Sequence, residues 1–172
     1  MEKACAYTWF NIIMNNVADR AQVMRSDLFE SFRKLNTKFD LIIDDVSGMS
    51  DRVSRISSWY KSKKIPTGDE DGTEPTVRML GEVEIYLKPG GVLYFPVLSL
   101  ANHNRIIEKA EQVFGRIGEN GLVEIINKWF PFPNKFIENM EILEQEKEKG
   151  NVSYKKKGLR YLWNLRIFRA CI

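Results

Sequence analysis

Phe39-Asp40-Leu41-Ile42-Ile43-Asp44-Asp45-Val46-Ser47-Gly48 (39–48) is a short apolar run that ends on two carboxylates. A half-buried strand alternates apolar and polar residues. A continuous run predicts a strand covered on both faces, as in a parallel sheet. Open α/β sheets bind ligands outside the carboxyl ends of their strands. Asp44 and Asp45 sit at such an end, which makes them candidates for chemistry. The plainer reading is a pair of solvated carboxylates at a strand end.

Downstream, 49–60 has helical spacing, and 61–73 is rich in Lys, Gly and Asp and reads as a loop. Thr73 can cap a helix that starts near Glu74, with Pro75 in the first turn, where proline is tolerated. Val77, Leu80, Val83 and Leu87 form its inner stripe, and Lys88-Pro89-Gly90-Gly91 stops it. Val92 to Leu98 is a second apolar strand, and Pro96 argues for an edge or a bulge. Ile106, Ile107, Ala110, Val113 and Phe114 make 102–114 an amphipathic helix. Leu122 to Phe130 is strand-like and closes on Phe-Pro-Phe-Pro (130–133). Asn134 can open a helix to about Lys149, which Gly150 ends. In the last segment Leu159, Tyr161, Trp163, Leu165 and Ile167 alternate on one strand face.

Upstream, Ala6, Phe10, Ile13 and Val17 predict an amphipathic helix over 2–17. Residues 21–25 read as a short strand. Ser26 and Asp27 open a helix to about Asn36, with Asp27 and Glu30 at capping-box spacing. Alternating helices and strands predict an α/β sandwich with helices on both faces of a largely parallel sheet. The 134–149 connection is the place expected for an antiparallel reversal.

Composition narrows the classes. The 172 residues are 44% hydrophobic and 28% charged, a globular profile. Twenty-six basic against 23 acidic side chains leave a net charge of +3, too small to argue a nucleic-acid or membrane partner alone. Cys5 and Cys171 lie at opposite ends and His103 is the one histidine, so no zinc-ligand spacing or disulfide framework exists. No signal-peptide pattern and no apolar stretch of about 18 residues is present, so a cytoplasmic, membrane-free protein is expected.

Three stretches read together are more specific: Ser26-Asp27-Leu28-Phe29, the 39–48 segment, and 68–97 with its Glu70-Asp71-Gly72 turn and Leu87-Lys88-Pro89-Gly90-Gly91. This pattern resembles the class I S-adenosylmethionine-dependent methyltransferases, closest to the small-domain group that includes the release-factor glutamine methyltransferases. The resemblance implies a Rossmann-like sheet whose last strand is inserted antiparallel, with S-adenosylmethionine over the carboxyl ends of the strands. It implies that Asp27 and Leu28 border the adenine, that Asp44 contributes to cofactor binding, and that Asp45 orients or deprotonates the acceptor. Asp45 stands where the family places the asparagine of Asn-Pro-Pro-Tyr. Here Asp45-Val46-Ser47-Gly48 replaces that motif and removes its aromatic platform.

The family's opening strand, Gly-x-Gly-x-Gly turn, helix and second strand have no counterpart in this sequence. The single methyltransferase-like domain over 1–172 is therefore expected to lack its first two strands. The expectation is a fragment, a sheet completed by a partner chain or by self-association, or direct pairing of 21–25 with 39–45. The predicted activity is methyl transfer to an unknown acceptor (protein, RNA or small molecule). A non-catalytic methyltransferase-like scaffold subunit is the alternative.

Other residues read more plainly. Asp27 can be a helix cap alone, and Glu70-Asp71-Gly72 a turn in which glycine supplies an unusual backbone angle. His103, in the first turn of a helix, is expected at the surface. Lys155, Lys156, Lys157, Arg160, Arg166 and Arg169 can follow an RNA backbone, although a solvated hairpin is the better reading. Trp129 to Pro133 can line an acceptor cleft or simply end a strand.

Overall fold

The computed structural model describes residues 2–46, 48–59, 69–118 and 121–172. The chain divides into two compact units, one ending at Thr37 and the other Lys38–Ile172.

The first unit holds helix α1 (Glu2–Met14), on which Tyr7, Phe10, Ile13 and Met14 are exposed. Residues 21–25 form no strand, which removes the expected pairing of 21–25 with 39–45. A short apolar alternation without a ladder partner cannot hold an extended backbone in register. The predicted helix from Asp27 contracts to turns around one 3₁₀ segment, Glu30–Phe32. Ser26 supplies a capping oxygen: its Oγ accepts from the Ser31 N–H at 2.9 Å. The Asp27 carbonyl accepts from the Glu30 N–H at 3.1 Å.

The second unit contains β1 (Phe39–Ile43), α2 (Asp51–Ile56), α3 (Glu74–Tyr86), β2 (Leu87–Leu98), α4 (His103–Phe114) and β3 (Leu122–Pro131). It continues with α5 (Asn134–Ile137), α6 (Met140–Glu148), β4 (Lys155–Lys157) and β5 (Arg160–Cys171). The sheet order is β1-β2-β5-β3, with β4 pairing β5. β1 pairs parallel to β2, and β5 runs antiparallel to both β2 and β3. Thus β1, β2 and β3 share one direction, and β5 is wedged between β2 and β3 in the opposite sense. The reversal falls between β3 and β5, where it was expected.

The two faces of the sheet are covered differently. Leu93, Phe95, Val97, Leu122, Phe168 and Ala170 are buried on the face packed by α4, which offers Ile106, Ala110 and Phe114. Phe95 stacks on Phe168 with ring centroids 5.4 Å apart. The opposite face is packed at the Trp163 end by Met49, Val53, Leu100, Phe132, Phe136, Leu143 and Val152, a cluster from α2, α5, α6 and their loops.

β1 departs from its sequence reading. Its continuous apolar run predicts burial on both faces, yet Leu41 is 50% and Ile43 70% exposed. Leu41 and Ile43 share one face of the strand, and the described residues leave that face largely uncovered. Pro96 sits in a central strand, contrary to expectation. Tyr94 turns its carbonyl to β1, where it accepts from the Asp44 N–H at 2.8 Å. Pro96, two residues on, faces the same way, beyond the last ladder pair Ile43–Tyr94. Its missing N–H therefore breaks no ladder bond.

Local chemistry sets the remaining ends. Leu87-Lys88-Pro89-Gly90-Gly91 opens β2 directly rather than separating it from α3. A Cβ on Gly91 would lie 3.0 Å from the Phe39 carbonyl oxygen, so the glycine lets β1 pass closely. The N-terminus of α3 is capped by Asp69 instead of the Thr73 hydroxyl: Oδ1 accepts from the N–H groups of Thr73 at 2.9 Å and Glu74 at 3.1 Å. The Thr73 hydroxyl donates to Asp71 at 2.6 Å, and Arg105 bridges Asp69 and Asp71. Gly72 has φ +78 and packs on the Met49–Ser50 backbone. The 70–72 segment is the turn its sequence predicts; 61–68, read as loop, lies outside the described residues. The helix expected over 134–149 is split, α5 ending before Asn139, and Pro133 takes the cap position expected of Asn134. Among the described residues no helix is long and apolar enough to cross a membrane.

Candidate functional site

The carboxyl end of β1 delivers Asp44 and Asp45 to one groove. The ladder bond from Asp44 N–H to Tyr94 fixes the backbone at the last strand residue. The next turn is closed by Asp44 itself, whose Oδ1 accepts from the Val46 N–H at 3.3 Å. Its Oδ2 is buried with no hydrogen-bond partner. Burial pushes the carboxyl up to about 6; the Val46 bond opposes the rise and the Asp45 charge adds to it. Asp45 is exposed. The sequence ranks Asp45 above Asp44, but the buried, perturbed group is Asp44.

Two connected clefts flank these carboxylates. One of about 410 Å³ is walled by Ile43, Asp44, Asp45, Tyr94, Ile125 and Ile167. Ile125 reaches it because a β-bulge between Glu124 and Ile126 inserts an extra residue into β3. The other, about 470 Å³, is lined by Asp45, Met49, Trp59, Trp163 and Leu165. Asp45, Pro96 and Ile167 belong to both, so they form a continuous groove with an acidic centre and apolar walls.

Aromatic side chains wall the second cleft. Trp59, three residues past α2 and 47% exposed, meets Trp163 of β5 edge to face at 5.4 Å. Phe130 stacks on the same Trp163 at 5.0 Å, and Phe136 lies 6.0 Å from Trp59. Aromatic pairs in this range add about 1 kcal/mol beyond area burial. Neither tryptophan is signalled by sequence spacing. Trp163 reads as one residue of an alternating strand, and Trp59 follows a helix about 14 residues after Asp45.

Asp27 and Leu28 belong to the first unit. Asp27 is exposed, and Leu28 has φ +48, an uncommon angle for a branched side chain. Trp129 is 40% exposed and carries Lys155, whose Nζ lies 3.6 Å from the ring centroid. The basic run 155–157 forms the hairpin strand β4. His103 is not the surface residue its position predicts: it is half-buried, and its Nδ1 is sealed without a partner. Among the described residues no cluster of His, Cys, Asp and Glu can hold a metal ion. No family model, no curated protein and no solved structure matches this chain.

Proposed function

We propose that this chain acts in S-adenosylmethionine-dependent methyl transfer, with the Asp44–Asp45 groove receiving cofactor and acceptor. One observation carries the reading: a buried carboxylate with one unpartnered oxygen and an exposed carboxylate share a strand-end groove with a tryptophan wall. The direction of β1, β2 and β3 with an inserted antiparallel β5 supports it, because the resemblance to class I methyltransferases implies that order.

The residues present fit the group. The free Oδ2 of Asp44 is an acceptor for an amino or hydroxyl group of the cofactor, and Ile43, Tyr94 and Ile167 supply apolar walls. When bound, S-adenosylmethionine supplies an electrophilic sulfonium methyl. The protein's task is then alignment and exclusion of water more than strong acid–base chemistry. Asp45 accepts a hydrogen bond from the acceptor and takes its proton. Trp59 and Trp163 hold a planar acceptor beside it, so the wall restores to amide and heteroaromatic acceptors the surface that the changed motif removes.

Calorimetry with S-adenosylmethionine tests the proposal. Saturable heat with micromolar affinity, weakened at least tenfold by Asp44→Ala, is the expected result. Absence of heat at millimolar cofactor overturns it. That outcome favours the second reading, a methyltransferase-like scaffold subunit, whose support is the outer edge of β1 with Leu41 and Ile43 exposed.

A further inference from the structure

A second cleft, of about 160 Å³, lies on the other face of the sheet from the aspartate groove. It is smaller than the ~300 Å³ at which drug-sized ligand sites begin. Its polar lining comes from separate segments: Ser99 after β2, His103 opening α4, Ser153 before β4, and Asn164 and Arg166 of β5. We propose that this cleft binds a small oxyanion, a carboxylate or phosphate group of a small molecule.

The framework is fixed by buried hydrogen bonds. The Ser99 N–H donates to the Asn164 carbonyl at 2.9 Å, and the Asn164 N–H donates to Ser99 Oγ at 2.9 Å. The Ser153 N–H donates to the Ser99 carbonyl at 2.7 Å. The Asn164 side-chain amide donates to Asn127 at 2.8 Å and to the Lys128 carbonyl at 2.9 Å. These bonds leave the hydrogens of the Ser99 and Ser153 hydroxyls to donate elsewhere.

Charge selects the ligand. Arg166 gives its Nε to Glu124, and among the described residues its two Nη groups make no hydrogen bond. Lys155 lies over the Trp129 ring that forms one wall. Arg166 lines the cleft, and its two Nη groups join the serine hydroxyls in a set of unused donors. His103 lines the cleft, with its Nδ1 buried behind the ring, so the imidazole feels the charge of whatever binds there. Burial, and then the Arg166 charge, hold the imidazole below its ordinary value. A bound anion offsets that charge and raises it.

The chain has one histidine, so its imidazole resonances report the cleft without ambiguity. The full chain is titrated with inorganic phosphate and, separately, sodium acetate at constant ionic strength in chloride, followed by ¹⁵N-imidazole NMR. The expected result is a saturable shift and a rise of about one pH unit in the His103 midpoint with at least one probe. Arg166→Gln should abolish saturation, and Ser153→Ala, which leaves the ion pair intact, should weaken it at least threefold. The arm that saturates identifies carboxylate or phosphate. Linear shifts with both probes, or saturation unchanged in Ser153→Ala and Arg166→Gln, overturn the proposal. Folding of each variant is read from its amide spectrum.

Discussion

Asp44 and Glu146 are both buried acids in the second unit, and they are treated in opposite ways. Glu146, inside α6, accepts from Asn151 at 3.0 Å and pairs with Arg52 at 3.0 Å and Lys149 at 3.3 Å. Burial works against its charge, but these donors overcome it and hold the carboxyl below its usual range. Asp44 has one backbone donor and an empty oxygen, and burial wins. The same cost of desolvation is thus cancelled where a carboxylate ties helices together and left standing where it faces a groove. An unsaturated buried acid facing a groove is a candidate functional group.

Removing the saturated acid should have the larger effect. Glu146→Ala strips Asn151 of its buried partner and leaves two cations beside an apolar cluster. A loss of about 3 to 4 kcal/mol in urea unfolding is expected. A loss below about 1 kcal/mol would erase the contrast. The Glu146 contribution is present above the unfolded carboxylate range and fades as pH falls through its lowered folded value.

Asp44 should behave with the reverse sign. Its folded form keeps a proton to about pH 6, while the unfolded chain releases it near 4. Its contribution is full below pH 4 and lost as pH rises through 6. Asp44→Asn should therefore stabilise the protein at pH 7.5 by about 2 to 3 kcal/mol, with the gain vanishing near pH 3.5. Thermal melts of variant and parent across that range sharpen the comparison. A destabilised variant at pH 7.5 would mean that Asp44 is already paired.

The smallest change should come from the solvent side of the Glu146 network. The Arg52 side chain is 41% exposed, so Arg52→Ala should cost less than about 1 kcal/mol at moderate salt. A cost similar to that of Glu146→Ala would place the network's strength in the ion pair rather than in the buried amide.

The helices were the legible part of the fold. α3 and α4 carry their stripes at helical spacing, although Thr76, Met79 and Tyr86 share the buried side of α3 with Leu80 and Val83. The strands were legible as apolar runs over 39–43, 92–98 and 122–130 and as an alternation in the last segment, as was the reversal before the last; residues 87–91, read as the end and stop of a helix, belong to β2 instead. The layering was not. A continuous run such as 39–43 shows that a strand can be buried on both faces, not that both covering layers exist. Residues 21–25 failed for a related reason, since local alternation contains no information about a ladder partner.

At the candidate site, the sequence shows Asp44 and Asp45 ending an apolar run but not which of the two is buried. Which of two adjacent acids turns inward depends on backbone bonds to Tyr94 and Val46. Trp59, Trp163 and the His103 cleft were hidden because each is assembled from segments far apart in sequence.

The wedged position of β5 governs how the sheet can come together. Val92 meets Cys171, and Leu122 meets Ala170, across long intervals of chain. Until 160–171 arrive, β2 and β3 share no rungs, and two apolar ribbons wait side by side. Assembly is therefore dominated by non-local pairing, the slow regime for a domain of this size. While β5 is absent, the facing edges of β2 and β3 stay unpaired, the kind of exposed edge that promotes aggregation.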